Sequence, residues 1–176
     1  ANTAILGDVD GDGDLDIFVA NGTSGGGYAE GYSGFQNLLW KNDGTGVFTD
    51  VTSQLPTLTD SSIHAAFGDV DGDEDLDIFV GNPGYYGTGE ENRLLINDGI
   101  GNFTDGSSQL PSTDNANITL SVAFADLDND NDLDIVVNNT SFDASRLLLN
   151  NGIGTLTDVT SGRLDMSDTA QDMKVE

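Results

Sequence analysis

Aspartate recurs at every second position through three nine-residue stretches of this chain. The first holds Asp8, Asp10, Asp12, Asp14 and Asp16; the second Asp69, Asp71, Asp73, Asp75 and Asp77; the third Asp126, Asp128, Asp130, Asp132 and Asp134. Five carboxylates crowded in this way repel and raise one another's pKa. A hard divalent cation removes the conflict. Calcium suits the pattern, because it takes about six to eight oxygen ligands at roughly 2.3–2.6 Å and tolerates irregular geometry. The first, third, fifth and ninth residues of each stretch would offer carboxylates, the seventh a backbone carbonyl, and water the remainder. The expectation is one Ca2+ per stretch, about three in all.

The surrounding residues decide what kind of loop this is. A helical calcium loop of the EF-hand type needs Glu at its twelfth position and helices on both sides. That position is occupied by Val19, Val80 and Val137. The segments leaving the stretches, Asp16-Ile17-Phe18-Val19, Asp77-Ile78-Phe79-Val80 and Asp134-Ile135-Val136-Val137, are β-branched and aromatic and read as strands. Each Asp stretch is therefore a loop between two β-strands. Its fourth and sixth residues are expected to need backbone angles that Gly and Asn tolerate best. They are Gly11 and Gly13, Gly72 and Glu74, and Asn129 and Asn131. The second loop, with Glu74, is expected to bind calcium most weakly.

The loops recur because the whole chain does. Residues 1–61, 62–118 and 119–176 read as three copies of one unit within a single repeat domain spanning 1–176. A period of this size indicates repeats, propellers or arrays. Each unit reads as four strands. The first leads into the Asp loop (4–6, 65–67, 122–124) and the second leaves it (15–20, 76–81, 133–138). The third is apolar on both faces (37–40, 93–96, 146–149). The fourth (47–49, 102–104, 155–157) follows a turn built on Asn42-Asp43-Gly44, Asn97-Asp98-Gly99 or Asn150-Asn151-Gly152, which supplies the positive φ of a tight hairpin. Strands apolar on both faces fit sheets sandwiched between neighbouring sheets, as blades are around an axis. The fold class is all-β: tandem four-stranded antiparallel blades of β-propeller type. Three blades are too few to close, since closed propellers have about four to eight. Completion by oligomerisation or by further blades is expected, and residues 173–176 read as the start of a fourth unit.

Phe67-Gly68-Asp69-Val70-Asp71-Gly72-Asp73, followed by Leu76-Asp77-Ile78 and Arg93-Leu94-Leu95-Ile96-Asn97-Asp98-Gly99, resembles an FG-GAP/VCBS-type repeat, the calcium-binding blade similar to those of integrin α-subunit propellers. The resemblance implies four-stranded blades with calcium in the loop between first and second strands. Two copies depart from the Phe-Gly pair, with Leu6-Gly7 in the first and Phe124-Ala125 in the third. The family serves adhesion, carbohydrate binding and accessory domains of secreted enzymes.

Composition narrows the function. The chain has 176 residues, 31 acidic against 5 basic, and a formal charge of −26. Three calcium ions would bring this only to −20, so nucleic acid and anionic membrane are excluded as expected partners. The absence of cysteine rules out thiol catalysis and disulfides. No apolar run approaches a membrane span, and no signal peptide is visible at Ala1. Calcium loops of modest affinity fill where free calcium is high, which places the chain outside a cell, secreted or at the cell surface. His64, the single histidine, reads as a packing or surface residue, and Trp40, aligned with Ile96 and Leu149, as core. The connections 21–36 and 82–92 carry Tyr28, Tyr32, Phe35, Tyr85 and Tyr86 among glycines, residues suited to stacking on sugars or to protein contact. The expected function is non-enzymatic: a calcium-stabilised extracellular protein for adhesion or assembly, a surface or filament subunit. Its partner would be itself or another extracellular protein. Two alternatives stand beside it: a carbohydrate-binding, lectin-like module, and a non-catalytic part of a larger secreted enzyme.

Overall fold

A computed structural model describes residues 3–22, 34–83, 90–112, 117–140, 144–161 and 163. Twelve strands form three four-stranded sheets. The first contains β1 (Thr3–Gly7), β2 (Asp16–Ala20), β3 (Leu38–Asn42) and β4 (Phe48–Asp50). The second contains β5 (His64–Gly68), β6 (Asp77–Gly81), β7 (Arg93–Asn97) and β8 (Phe103–Asp105). The third contains β9 (Thr119–Ala125), β10 (Asp134–Asn139), β11 (Arg146–Leu149) and β12 (Thr157–Asp158). Within each sheet the strands lie in chain order and every neighbouring pair is antiparallel. This is the four-stranded blade expected from the repeat. The Asp loops and the Gly-rich turns consequently share one end of each sheet. The connections from second to third strand share the other.

The blades are glued face to face. Side chains alternate across a strand, and in β6 both faces are buried along its whole length. Ile78 and Val80 join Phe18, Ala20 and Leu39 in one core between the first and second sheets. Phe79 joins Ile135, Val137 and Leu148 in another between the second and third. The adjacent Leu94 and Leu95 of β7 fall into different cores, which is why the third strands look apolar throughout. The Phe-Gly pair is part of the same packing. A side chain at Gly7 would meet the Phe67 ring of the next sheet at 2.9 Å, and one at Gly68 would meet Phe124 at 2.5 Å. Glycine in one blade makes room for phenylalanine in the next.

Pairing register corrects one expectation. Trp40 stands opposite Ile17, as Leu95 stands opposite Ile78 and Leu148 opposite Ile135. Its counterparts are therefore Leu95 and Leu148, both buried, rather than Ile96 and Leu149. Trp40 itself is only partly buried, and among the described residues no sheet packs on that face of the first blade.

Two short 3-10 turns, Thr52–Gln54 and Ser107–Gln109, are absent from the sequence expectation. A repeated Asp-x-Thr/Ser motif initiates them. Asp50, Asp105 and Asp158 each accept a hydrogen bond from the backbone N–H two residues on, at 2.9 Å. The hydroxyls of Thr52, Ser107 and Thr160 in turn accept from the third-strand N–H groups of Leu39, Leu94 and Leu147. At the opposite end of the blade, the backbone N–H groups of Asn21 and Asn82 donate to Asn37 Oδ1 and Asn92 Oδ1, each at 2.8 Å.

Candidate metal centre

Each Asp loop folds around the carboxylate of its first residue. Asp8 Oδ1 accepts from the N–H groups of Gly11 and Asp12, and Asp8 Oδ2 accepts from Gly13. Asp69 does the same for Gly72, Asp73 and Glu74, and Asp126 for Asn129 and Asn131. So tight a wrap forces left-handed backbone at the fourth and sixth residues, and all six have positive φ. Gly and Asn take this conformation readily, whereas other L-residues lose about 1–2 kcal/mol. Glu74, at φ 73°, is the one residue of the six that is neither. Replacing Glu74 with Gly is expected to raise stability by about 0.5–1 kcal/mol, the relief of strain less the extra chain freedom of Gly. Urea unfolding checks this, and a loss of stability would show that Glu74 makes a compensating contact.

The ninth residue is the buried hub. Asp16, Asp77 and Asp134 are fully inaccessible. Asp16 accepts from Val9 N–H at 3.0 Å and Asn42 N–H at 2.8 Å. Asp77 accepts from Val70 and Asn97, each at 2.9 Å. Asp134 accepts from Leu127 at 2.8 Å and Asn150 at 2.9 Å. This one carboxylate thus pins the Asp loop to the end of the third strand. Burial pushes the Asp77 carboxyl up to about 7, against the pull of its two N–H bonds, with the charges of Asp71 and Asp73 adding to the rise. Burial likewise raises Asp16 and Asp71.

Three side chains converge in each loop. Oxygens of Asp8, Asp10 and Asp16 all lie within 4.8 Å of one another, and so do those of Asp69, Asp71 and Asp77 and of Asp126, Asp128 and Asp134. The third residue of the loop supplies the test of fit. Asp10 Oδ1 and Asp71 Oδ1 are buried and have no hydrogen-bond partner. A buried carboxylate oxygen without a donor is costly, and a cation held among the three carboxylates supplies what it lacks. The donor set is oxygen only, which suits calcium rather than a softer metal.

The other predicted ligands are placed differently. Asp12, Asp73 and Asp130 accept the N–H of Asp14, Asp75 and Asp132 and so brace the loop beside the cluster. The side chains of Asp14, Asp75 and Asp132 lie over Gly44, Gly99 and Gly152 of the Gly-rich turn, where a Cβ would collide with them. Any contribution from this seventh residue to a cation is left to its backbone carbonyl. In the first loop, Lys41 Nζ sits 3.1 Å from Asp10 Oδ2 and donates at 2.6 Å to Ile100 O in the second blade.

One repeat position missed by sequence reasoning, held by Asn97 and Asn150, joins the sites together. Asn97 Nδ2 donates at 2.9 Å to Val9 O, inside the Asp loop of the preceding blade. Asn150 Nδ2 donates at 2.7 Å to Val70 O. From sequence alone the Asn that opens each Gly-rich turn reads only as a turn former. Its presence in all three units, at a position where many residues would make a turn, was the available signal.

A model of the FG-GAP-like repeat matches the chain twice, over residues 8–80 and 70–137. This chain belongs to the FG-GAP-like repeat family. Each match runs from one Asp loop to the β-strand that leaves the next, so each takes in two successive carboxylate clusters. No curated protein matches the chain. In this FG-GAP-like chain His64 packs against the next blade. Burial lowers its pKa, and its Nδ1 accepts a 3.3 Å hydrogen bond from Val122 N–H of the next blade. Tyr28, Tyr32, Tyr85 and Tyr86 lie outside the described residues, as do 173–176. Phe35 is described and is exposed.

Proposed function

We propose that this chain is a non-catalytic, calcium-stabilised scaffold that works outside the cell in adhesion or assembly. The observation that carries the reading is the orphaned, buried oxygen of Asp10 and Asp71 within a three-carboxylate cluster that recurs in every blade. Asp8, Asp10 and Asp16 would hold one ion, Asp69, Asp71 and Asp77 a second, and Asp126, Asp128 and Asp134 a third. Bound calcium would supply fixed positive charge between two strands and the end of a third. Extracellular modules bind at about 10⁻⁴–10⁻³ M, an affinity that fills sites where calcium is abundant. Family membership and the strongly acidic composition agree with that setting.

Calorimetric titration tests the proposal. About three ions should bind per chain near 10⁻⁴–10⁻³ M, the first loop more tightly than the second. No heat and no bound calcium at about 10⁻³ M would overturn it.

A further inference from the structure

The contact between blades follows a rule that can be written in rows of residues paired across the strands. The row Ile5–Phe18–Leu39 of the first blade faces the row Phe67–Ile78–Leu95 of the second. Ala66–Phe79–Leu94 of the second faces Phe124–Ile135–Leu148 of the third in the same way. Among the described residues two rows of the array are left over. Leu6–Ile17–Trp40 lies on the outer face of the first blade. Leu6 is 60% exposed there, although its counterparts Phe67 and Phe124 pack into cores. Ala123–Val136–Leu147 lies on the outer face of the third, with Ala123 exposed, Val136 half-buried and Leu147 buried. Beside it Leu127 is half-buried, while its counterparts Val9 and Val70 are sealed by the following blade.

We propose that these two faces bind each other between copies of this chain, the third blade of one copy docking on the first blade of the next. The proposal deepens the assembly reading above and rests on it. The occupant is argued from continuity with the interfaces already built and from how the two end rows differ from them. At the centre of the donor row, Val136 replaces the Phe of the inner blades, and in the facing row Trp40 replaces their Leu. At the edge, Ala125 replaces the Gly over which a Phe ring packs, and Leu6 replaces that Phe. Each loss of volume on one face is thus matched by a gain on the other, the exchange that keeps a packed layer filled. A polar pair matches as well. Asn97 and Asn150 donate to Val9 O and Val70 O of the preceding blade. Asn42 Nδ2 of one copy would donate to Leu127 O of another. Joining unlike faces gives a ring if the rotation closes and a filament if it does not. Two copies would supply six blades, within the usual four to eight.

Light scattering of the calcium-loaded chain across roughly 1–200 µM, a span around ordinary micromolar affinity, tests this. The mass should rise from the 18.4 kDa of one chain to twice that or more. The emission of Trp40, the single tryptophan, should shift to shorter wavelength in step. Leu6→Glu, at an exposed position, should weaken assembly at least about tenfold, a difference of about 1.4 kcal/mol. In a chain without native cysteine, an oxidised mixture of Leu6→Cys and Ala125→Cys copies should yield the mixed dimer well above either self-dimer. A monomer at every concentration would overturn the proposal, as would assembly indifferent to Leu6→Glu or without the Trp40 shift. A monomer that dimerises only after removal of residues 164–176 would overturn it too, assigning one face to that segment. The unfolding temperature with and without calcium is recorded on the same samples. A calcium-stabilised monomer defeats the docking and spares the scaffold, whereas docking without calcium stabilisation does the reverse.

Discussion

Chelating calcium is expected to lower the midpoint of thermal unfolding by roughly 10 °C. At free calcium about ten times Kd, each site stabilises the fold by roughly 1.4 kcal/mol, and three sites by about 4 kcal/mol. A chain of this length shifts by about 2–4 °C per kcal/mol. The net stability of a domain is only about 5–15 kcal/mol, so bound ions would carry a large share of it. The structural cause is the repulsion left behind. Three carboxylates share each cluster, Asp10 Oδ1 and Asp71 Oδ1 lose the partner that justifies their burial, and Asp77 reverts to a carboxyl pushed up to about 7. Scanning calorimetry in calcium and then in excess chelator measures the shift. An unchanged midpoint would mean that the loops are held by their internal hydrogen bonds alone.

The most damaging single substitution is expected to be Asp77→Ala. It strips the acceptor from two buried N–H groups, those of Val70 and Asn97, and removes a carboxylate from the second cluster. Orphaning both donors costs roughly 3–5 kcal/mol in the calcium-free chain, with the loss of ion binding added when calcium is present. Because β6 is buried on both faces, the damage reaches both inter-blade cores. Asp77→Asn should fall between, since one amide oxygen can serve only one of the two donors well. Asp75→Ala is the control. Its side chain lies over Gly99 at the rim of the loop, and the denaturation midpoint should barely move. Equal effects from Asp75→Ala and Asp77→Ala would dismiss the hub role of the ninth residue.

The sequence shows the repeat, the four strands of each unit and the Asp loops directly, because each is written in local signals: alternation of charge, β-branched runs and Asn-Asp-Gly turns. Even the left-handed angles at the fourth and sixth loop residues could be inferred from the choice of Gly and Asn. What it hides depends on distance or on register. Asn97 meets Val9 across 88 residues, and no local pattern announces that bond. Trp40 was aligned one position away from its true counterparts, and in a strand a slip of one residue exchanges the two faces. The 3-10 turns are too short to leave a periodic trace. Spacing alone also groups the carboxylates of Asp12, Asp73 and Asp130 with the cluster, whereas each accepts the N–H two residues further along, a bond that spacing does not announce.

The Asn bonds have a consequence for how the rim of the molecule behaves. Asp16 holds the N–H of Val9, whose carbonyl takes the Asn97 amide; the N–H of Asn97 rests on Asp77. Asp77 holds the N–H of Val70, whose carbonyl takes the Asn150 amide, and the N–H of Asn150 rests on Asp134. Every link is a hydrogen bond of 3.0 Å or less. The three carboxylate hubs are therefore strung on one unbroken line that crosses both seams between blades. A pull on one blade is borne by the loop of its neighbour, and tightening any loop takes up slack in the next. Mechanically the array has a single hoop along one edge, with the cation sites as its rivets.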